Sequence, residues 1–221
     1  MVELKGDIVR LSKHQVGQAG AMLTRAFFDD PKLTHLIPDI ATKKDLSRYL
    51  FEFELQYGMN YGDVYTTSPA VEGVAVWLPS AKSEVTFWRA FRSGGMVLQK
   101  RLGKEIMDRL MAFSKKIDML HKKHAPYSHY YLFFIGVDPA YQKKRVASRL
   151  ITPMLGWLDM QKLPCYLNTQ NENNIGLYEH YGFQVIEQVV LPDSGIVHTA
   201  MQRNPRQEAG TKELISPTFW H

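Results

Sequence analysis

Apolar positions along the chain switch between two periods, and each switch marks an element. Asp7 to Leu11 alternates apolar and polar residues and reads as a first strand. Ser12 is placed to cap a helix that carries Val16, Ala19, Met22, Leu23, Ala26 and Phe27 at helical spacing, and Asp29-Asp30-Pro31 ends it. A second helical pattern runs from about Lys43 to Tyr57, with Leu46, Tyr49, Leu50, Phe53 and Tyr57 on one side and Gly58 and Gly62 after it. Asp63 to Thr67 alternates and Gly73 to Leu78 is apolar. A polar turn around Ser68-Pro69 joins them, which predicts a hairpin stopped by Pro79.

Residues 83 to 123 are helical in composition. Phe87, Trp88 and Phe91 form one apolar patch, Gly94-Gly95 break the segment, and Leu102, Ile106, Leu110, Phe113, Ile117 and Leu120 form a stripe. An ordinary packed helix pair, inserted between strands, is the expectation. His129 to Val137 is a long apolar strand, expected to be buried on both faces. Then come a helix from about Lys144 to Lys162, a strand Cys165 to Thr169, and a short helix Asn173 to His180. A hairpin of Gln184 to Leu191 with Ile196 to Gln202 closes the pattern. Hairpins outnumber crossovers, so the fold class is α+β with one mixed sheet. Residues 1–204 form one domain with its insertion at about 83–123, and 205–221 form a tail without periodicity.

Composition narrows the class. The 221 residues are 45% hydrophobic and 22% charged, ordinary for a globular chain. No apolar run is long enough for a membrane span, and the N-terminal stretch lacks the apolar block of a signal peptide, so cytoplasmic residence without a membrane partner is expected. Cys165 is the only cysteine, which excludes an internal disulfide and a cysteine-based zinc cluster; no metal site is expected. The net charge of +5 admits a nucleic-acid surface or a pocket for a polyanionic cofactor. No nucleic-acid motif or base-reading helix accompanies it, so a nucleic-acid partner is not expected.

One basic cluster lies in a telling place. In Val137-Asp138-Pro139-Ala140-Tyr141-Gln142-Lys143-Lys144-Arg145-Val146-Ala147 a strand ends, a turn follows and a helix begins. The first N–H groups of a helix lack intrahelical partners and face the positive end of its dipole, where a phosphate is stabilised. The residues alone leave two readings open, a phosphate cradle or a plain turn with exposed lysines. Further on, Asn174 and Tyr178 share a helix face, Gly182 suits the left-handed residue after that helix, and Phe183 enters the core.

These two stretches resemble the GNAT superfamily of N-acetyltransferases. The turn matches its Q/R-x-x-G-x-G/A pattern at Gln142 and Ala147, after a strand ending in V-x-P at Val137 and Pro139, with Arg145 where the first glycine is usual. The second matches N-x-x-x-Y-x-x-x-G-F at Asn174, Tyr178, Gly182 and Phe183. Segments such as DDPKLTHLIPD and YYLFFIGVDPAYQ resemble the branch that includes puromycin N-acetyltransferase. The resemblance implies a mostly antiparallel central sheet flanked by helices, with the insertion before the cofactor-binding strand. It implies acetyl-CoA as cosubstrate, a small-molecule primary amine as acceptor, direct transfer, and a homodimer as the assembly to test for. It further implies cofactor contacts at Ile135, Val137, Gln142, Lys143, Lys144, Arg145, Val146, Ala147, Ser148, Asn174 and Tyr178. Tyr178 would act as general acid, and residues 133–137 would splay from 165–169 around the pantetheine arm. Related chains often carry Glu where this one has Asn168, so Glu52, Glu54, His129 and His198 are the base candidates. The acceptor pocket is expected to draw on Phe27, Phe28, Tyr49, Phe53, Tyr57, Trp77 and Trp88, while Cys165 is expected to be structural. The alternatives are a non-catalytic acyl-CoA-binding protein of the same fold and a protein N-acetyltransferase.

Overall fold

The structure is a computed structural model that describes residue 4, residues 8–67 and residues 69–206. Expectations for Asp7, Ser68 and the tail from 207 onward lie outside the described residues. Strand β1 (Val9–Arg10) is followed by a 3-10 turn at Lys13–Gln15, whose capping box joins Ser12 and Gln15. Helix α1 (Val16–Ala26) comes next. Asp29-Asp30-Pro31 does end α1, but it also starts α2 (Pro31–Leu36), which the pattern did not predict. Asp30 accepts from the backbone N–H groups of Lys32 and Leu33, and Pro31 occupies the first helical turn, where its missing N–H costs nothing. Helix α3 (Ile40–Tyr61) is longer than its apolar stripe because Asp39 caps it four residues before Lys43.

Strands β2 (Asp63–Thr66) and β3 (Gly73–Pro79) form the expected hairpin. The insertion folds as α4 (Ser80–Ser83), α5 (Phe87–Arg92) and α6 (Gly95–His124), the last kinked at Gly103. The stripe from Leu102 to Leu120 packs on the core as expected. Phe87, Trp88 and Phe91 do not: they are 72%, 70% and 52% exposed, so on α5 the patch is an open aromatic surface.

The remaining elements are β4 (Tyr130–Val137), α7 (Val146–Met160), β5 (Cys165–Thr169), α8 (Ile175–His180), β6 (Gln184–Val190) and β7 (Val197–Arg203). The sheet runs β1-β2-β3-β4-β5-β7-β6, and every pairing is antiparallel except β4 with β5. One face is covered by α1, α3 and α6 over a core that includes Leu23, Leu50, Leu55 and Val76. The other is covered by α7 and α8 over Leu150, Met154, Leu158 and Phe183. No helix among the described residues is long and apolar enough to cross a membrane.

Candidate active site

The site begins with a break in the sheet. Strands β4 and β5 pair only at Tyr130 with Cys165 and Tyr131 with Tyr166, and beyond these two rungs they part. The register of β3 against β4 slips at the same place. Val76 faces Phe134 and Trp77 faces Leu132, which leaves Phe133 as a bulged residue in β4. A bulge bends its strand and strengthens the local twist, so β4 turns away from β5 where its β5-facing backbone groups lose their ladder. This overturns the expectation of a strand buried on both faces: Phe133, Phe134, Ile135 and Val137 are only half-buried. Gly136 is an exception, because α1 lies so close that an added Cβ would stand 2.5 Å from Leu23.

Past the end of β4, Asp138 accepts from the backbone N–H of Ala140 and pairs with Arg25 of α1, fixing how the chain leaves the sheet. The helix expected from Lys144 begins only at Val146, because Lys143 and Arg145 both take positive φ, near 60°. Arg145 is the residue before the first turn of α7, and no side chain caps that turn. The N–H groups of Val146, Ala147 and Ser148 are therefore left without a side-chain acceptor. Gln142, Lys143, Lys144 and Arg145 are exposed around them. The Lys144 ammonium reaches back to the Ala140 carbonyl at 2.9 Å. Among the described residues Arg145 has no hydrogen-bonding or ionic partner. These residues suit a diphosphate, which needs open amide donors and nearby cations.

Between the parted strands lies a cavity of about 600 Å³ that reaches from the sheet to the insertion. Ile135, Asn174 and Tyr178 all line it, together with Tyr131 to Phe134 of β4, Asn168 to Gln170 of β5, and the aromatic rings of Phe27, Phe51, Phe53, Phe87, Phe91 and Phe113. Asn174 closes the 3-10 turn that opens α8, one helical turn before Tyr178. Tyr178 is buried, stands edge-on to Phe183, and its hydroxyl is pushed above the usual phenol range by burial and by the charge of Asp30. Gly182 follows α8 at φ 89°, the left-handed position expected of it. The turn at Gln142–Ser148 does not line this cavity; it stands at the other end of the same exposed stretch of β4.

Of the expected acceptor-pocket residues, only Phe27 and Phe53 line the cavity. Trp77 is wholly buried, the Tyr57 hydroxyl is spent on the carbonyls of Lys82 and Glu84, and Trp88 faces outward. Phe28 lies under the Lys43 ammonium and Tyr49 under the Arg101 guanidinium, outside the cavity lining.

The base candidates separate in the same way. Glu52 is paired with Arg48 along the surface of α3, whereas Glu54 lines the cavity with Lys32 at 3.3 Å. His129 faces the Tyr127 carbonyl through Nδ1, so Nδ1 carries the proton and Nε2 accepts from His121 at 2.8 Å. Both rings are buried, and burial holds His121 at about 3 and lowers His129. His198 accepts from the Gln170 amide, with its own Nε2 buried and unpartnered, and burial brings it to about 4. Neither His129 nor His198 lines the cavity. Asn168 donates to the Tyr131 hydroxyl at 2.7 Å and accepts from Gln170 at 3.0 Å, a neutral chain in place of a carboxylate. Cys165 is buried within β5, which pushes its thiol up to about 12 and leaves no thiolate for acyl transfer.

The pattern did not point to Asp30 or Asp118, both of which line the cavity. Asp30 was hidden inside an apparent stop signal. Asp118 follows Ile117 on the edge of the α6 stripe, one turn before the buried His121; an acidic residue at that edge was the available signal.

Comparison with known proteins is consistent with this arrangement. Residues 116–183 match the model of the Acetyltransferase (GNAT) family, a span from the end of α6 through the turn to Phe183. An uncharacterised N-acetyltransferase of Schizosaccharomyces pombe is 26% identical over 218 residues, covering 94% of this chain and 87% of that protein. Among solved structures, histone acetyltransferase HPA2 and related acetyltransferase from Corynebacterium glutamicum aligns with a TM-score of 0.64 at 20% identity, over 92% of this chain and 98% of that one. Mosquito arylalkylamine N-acetyltransferase like 5b aligns with a TM-score of 0.55 at 15% identity, over 89% and 98%. At these identities the two structures speak for the fold. GNAT enzymes generally use acetyl-CoA as cosubstrate. With the parted sheet, the matched segment and the yeast relative in agreement, the chain has the GNAT fold and is similar to GNAT-type N-acetyltransferases.

Proposed function

We propose that this enzyme transfers an acetyl group from acetyl-CoA directly to a small-molecule primary amine. The observation that carries the reading is the continuity of three features along β4: an uncapped helix start, a stretch of strand edge without a ladder, and an aromatic cavity. The helix start at Val146–Ser148, flanked by Gln142, Lys143, Lys144 and Arg145, would hold the diphosphate. The open edge of β4 near Ile135 and Val137 would bind the amide-bearing arm, with Asn174 placing its end. When bound, the cosubstrate supplies an activated thioester.

In the transfer, the amine nitrogen bonds to the thioester carbonyl carbon and the carbon–sulfur bond breaks. Backbone N–H groups of β4 would stabilise the developing oxyanion. Tyr178 keeps its proton at neutral pH, as its raised pKa requires, and would deliver it to the departing thiolate, while the proton that the amine nitrogen sheds on forming the amide would pass through water and restore the phenol. Holding both reactants in one cleft would supply much of the rate. The insertion walls the cavity with α5 and α6, which favours a compact acceptor over a long peptide. The segments around Asp29-Asp30-Pro31 and β4 support a placement near the puromycin N-acetyltransferase branch.

The test is thiol release from acetyl-CoA across a panel of amines, with Tyr178→Phe beside the wild type. The variant should turn over at least about tenfold more slowly with coenzyme binding unchanged. A wild type that binds the coenzyme but releases no thiol with any amine would leave the non-catalytic binder as the better reading.

A further inference from the structure

The carboxylates around the aromatic cavity differ in how they are satisfied. Asp30 caps α2 with two backbone N–H groups, at 2.9 and 3.4 Å. Glu54 has the Lys32 ammonium, and Asp108 has Lys104 at 2.6 Å. Asp118 has no hydrogen-bonding or ionic partner among the described residues. Its natural helical partner, Lys122, is taken by Glu84 at 2.9 Å. Asp118 nevertheless lines the cavity beside Ile117, one helical turn after Ser114.

A carboxylate in apolar surroundings is costly unless a cation or donors accompany it. Here desolvation already pushes Asp118 up to about 6, with the charge of Glu84 adding to it and Lys122 opposing it. Its charge is not paired by any cation of the described residues, so the cavity wall carries a carboxylate without a direct counter-ion.

Resting on the acyl-transfer reading for the orientation of the ligand, we propose that Asp118 is a subsite for a second positive charge on the acceptor, which is therefore an amine carrying another cation across an apolar spacer. The reacting nitrogen must be neutral to attack and must reach Tyr178 and Asn174, whose helix α8 covers one face of the sheet. Asp118 belongs to α6 on the other face. One nitrogen therefore enters the cleft between β4 and β5 while the distal ammonium remains at Asp118. The rings of Phe53, Phe91 and Phe113 line the space around the spacer, and aromatic faces also tolerate a cation.

Calorimetric titration with hexamethylenediamine and with hexylamine, in the absence and presence of coenzyme A, tests the subsite without relying on turnover. Wild type should bind the diamine about tenfold more tightly than the monoamine. Asp118→Asn should bind the two alike, and Asp118→Glu should retain a preference. Carboxyl carbon resonances of the wild type provide a check independent of any variant, since the diamine should lower the titration midpoint of Asp118 and the monoamine should not. Equal binding of the two amines by wild type, no detectable diamine binding, or a preference kept by Asp118→Asn each overturns the proposal. If the diamine binds through Asp118 but no thiol is released from acetyl-CoA in its presence, the subsite stands and the acyl-transfer reading fails.

Discussion

Arg145 stands at φ 60°, ψ 16°, in the left-handed region where a side chain with a Cβ is penalised by about 1–2 kcal/mol. Related turns put glycine there, and this chain keeps the same backbone at the cost of strain. In return it adds a cationic residue immediately before the uncapped start of α7. Arg145→Gly should leave the melting temperature level or slightly higher, since relief of strain and the added freedom of the unfolded chain nearly cancel. Arg145→Val, β-branched at the same φ, should cost about 1–2 kcal/mol in urea unfolding. Equal stability of the two variants would mean that the left-handed conformation carries no penalty here. The sequence marked Arg145 as a departure from pattern, but not its conformation, because a positive φ at a non-glycine residue leaves no periodic trace. Asn168 was legible in the same limited way: the missing carboxylate could be seen, and its bond to Tyr131 could not.

At the scale of elements, α7 fixes the turn. Leu150, Ile151, Met154 and Leu158 are buried almost completely against the sheet, and each contributes about 1.5–3 kcal/mol of burial. Leu150→Ala should cost about 2–5 kcal/mol and weaken coenzyme binding along with it, whereas an exposed change such as Met160→Ala should do neither. The C-terminal end of α6 is held differently, by His121 against His129 and stacked on Tyr166 at 4.3 Å. His121, His129 and His198 are all lowered by burial, so the unfolded chain takes up protons that the native state refuses. Their contribution is complete above the unfolded value of about 6.5 and is lost as pH falls towards 4, by up to about 1.4 kcal/mol per pH unit for each ring. Asp118, raised to about 6, acts in the opposite sense below that pH, and Asp30, also raised by burial, acts in the same direction as Asp118, so the loss should be steepest close to the Asp118 value. Urea midpoints measured between about pH 7.5 and about pH 5, a range that spans the ordinary histidine value, should decline; a flat profile would show that the rings titrate normally. Strand β5 was legible to the residue because Pro164 and the following polar loop bound a short apolar run. Helix α2 was not, because the Asp-Pro pair that stops one helix is chemically the same signal that starts the next.

For the whole molecule, the excess of positive charge becomes intelligible once part of it is seen to surround one helix start. Binding of the polyanionic coenzyme should weaken as salt rises from about 50 mM to 500 mM, as screening of exposed cations requires. Lys143→Gln with Lys144→Gln should flatten that dependence, and titration calorimetry at two salt concentrations checks both. The mixed, mostly antiparallel sheet could be anticipated from the order of strands and helices, and the parting of β4 from β5 only from resemblance. The bulge at Phe133 that accompanies it has no signature in an unbroken apolar run.

That parting has a mechanical consequence. Four strands on one side and three on the other are stitched by the rungs at Tyr130 and Tyr131 alone, so the protein is close to two half-sheets sharing a seam. A molecule that hydrogen-bonds along the exposed edge of β4 would serve as a temporary eighth strand, and the amides flanking the seam should then exchange with deuterium more slowly than in the empty protein. The place proposed for the cosubstrate is also where the scaffold is least finished, and occupancy would complete it.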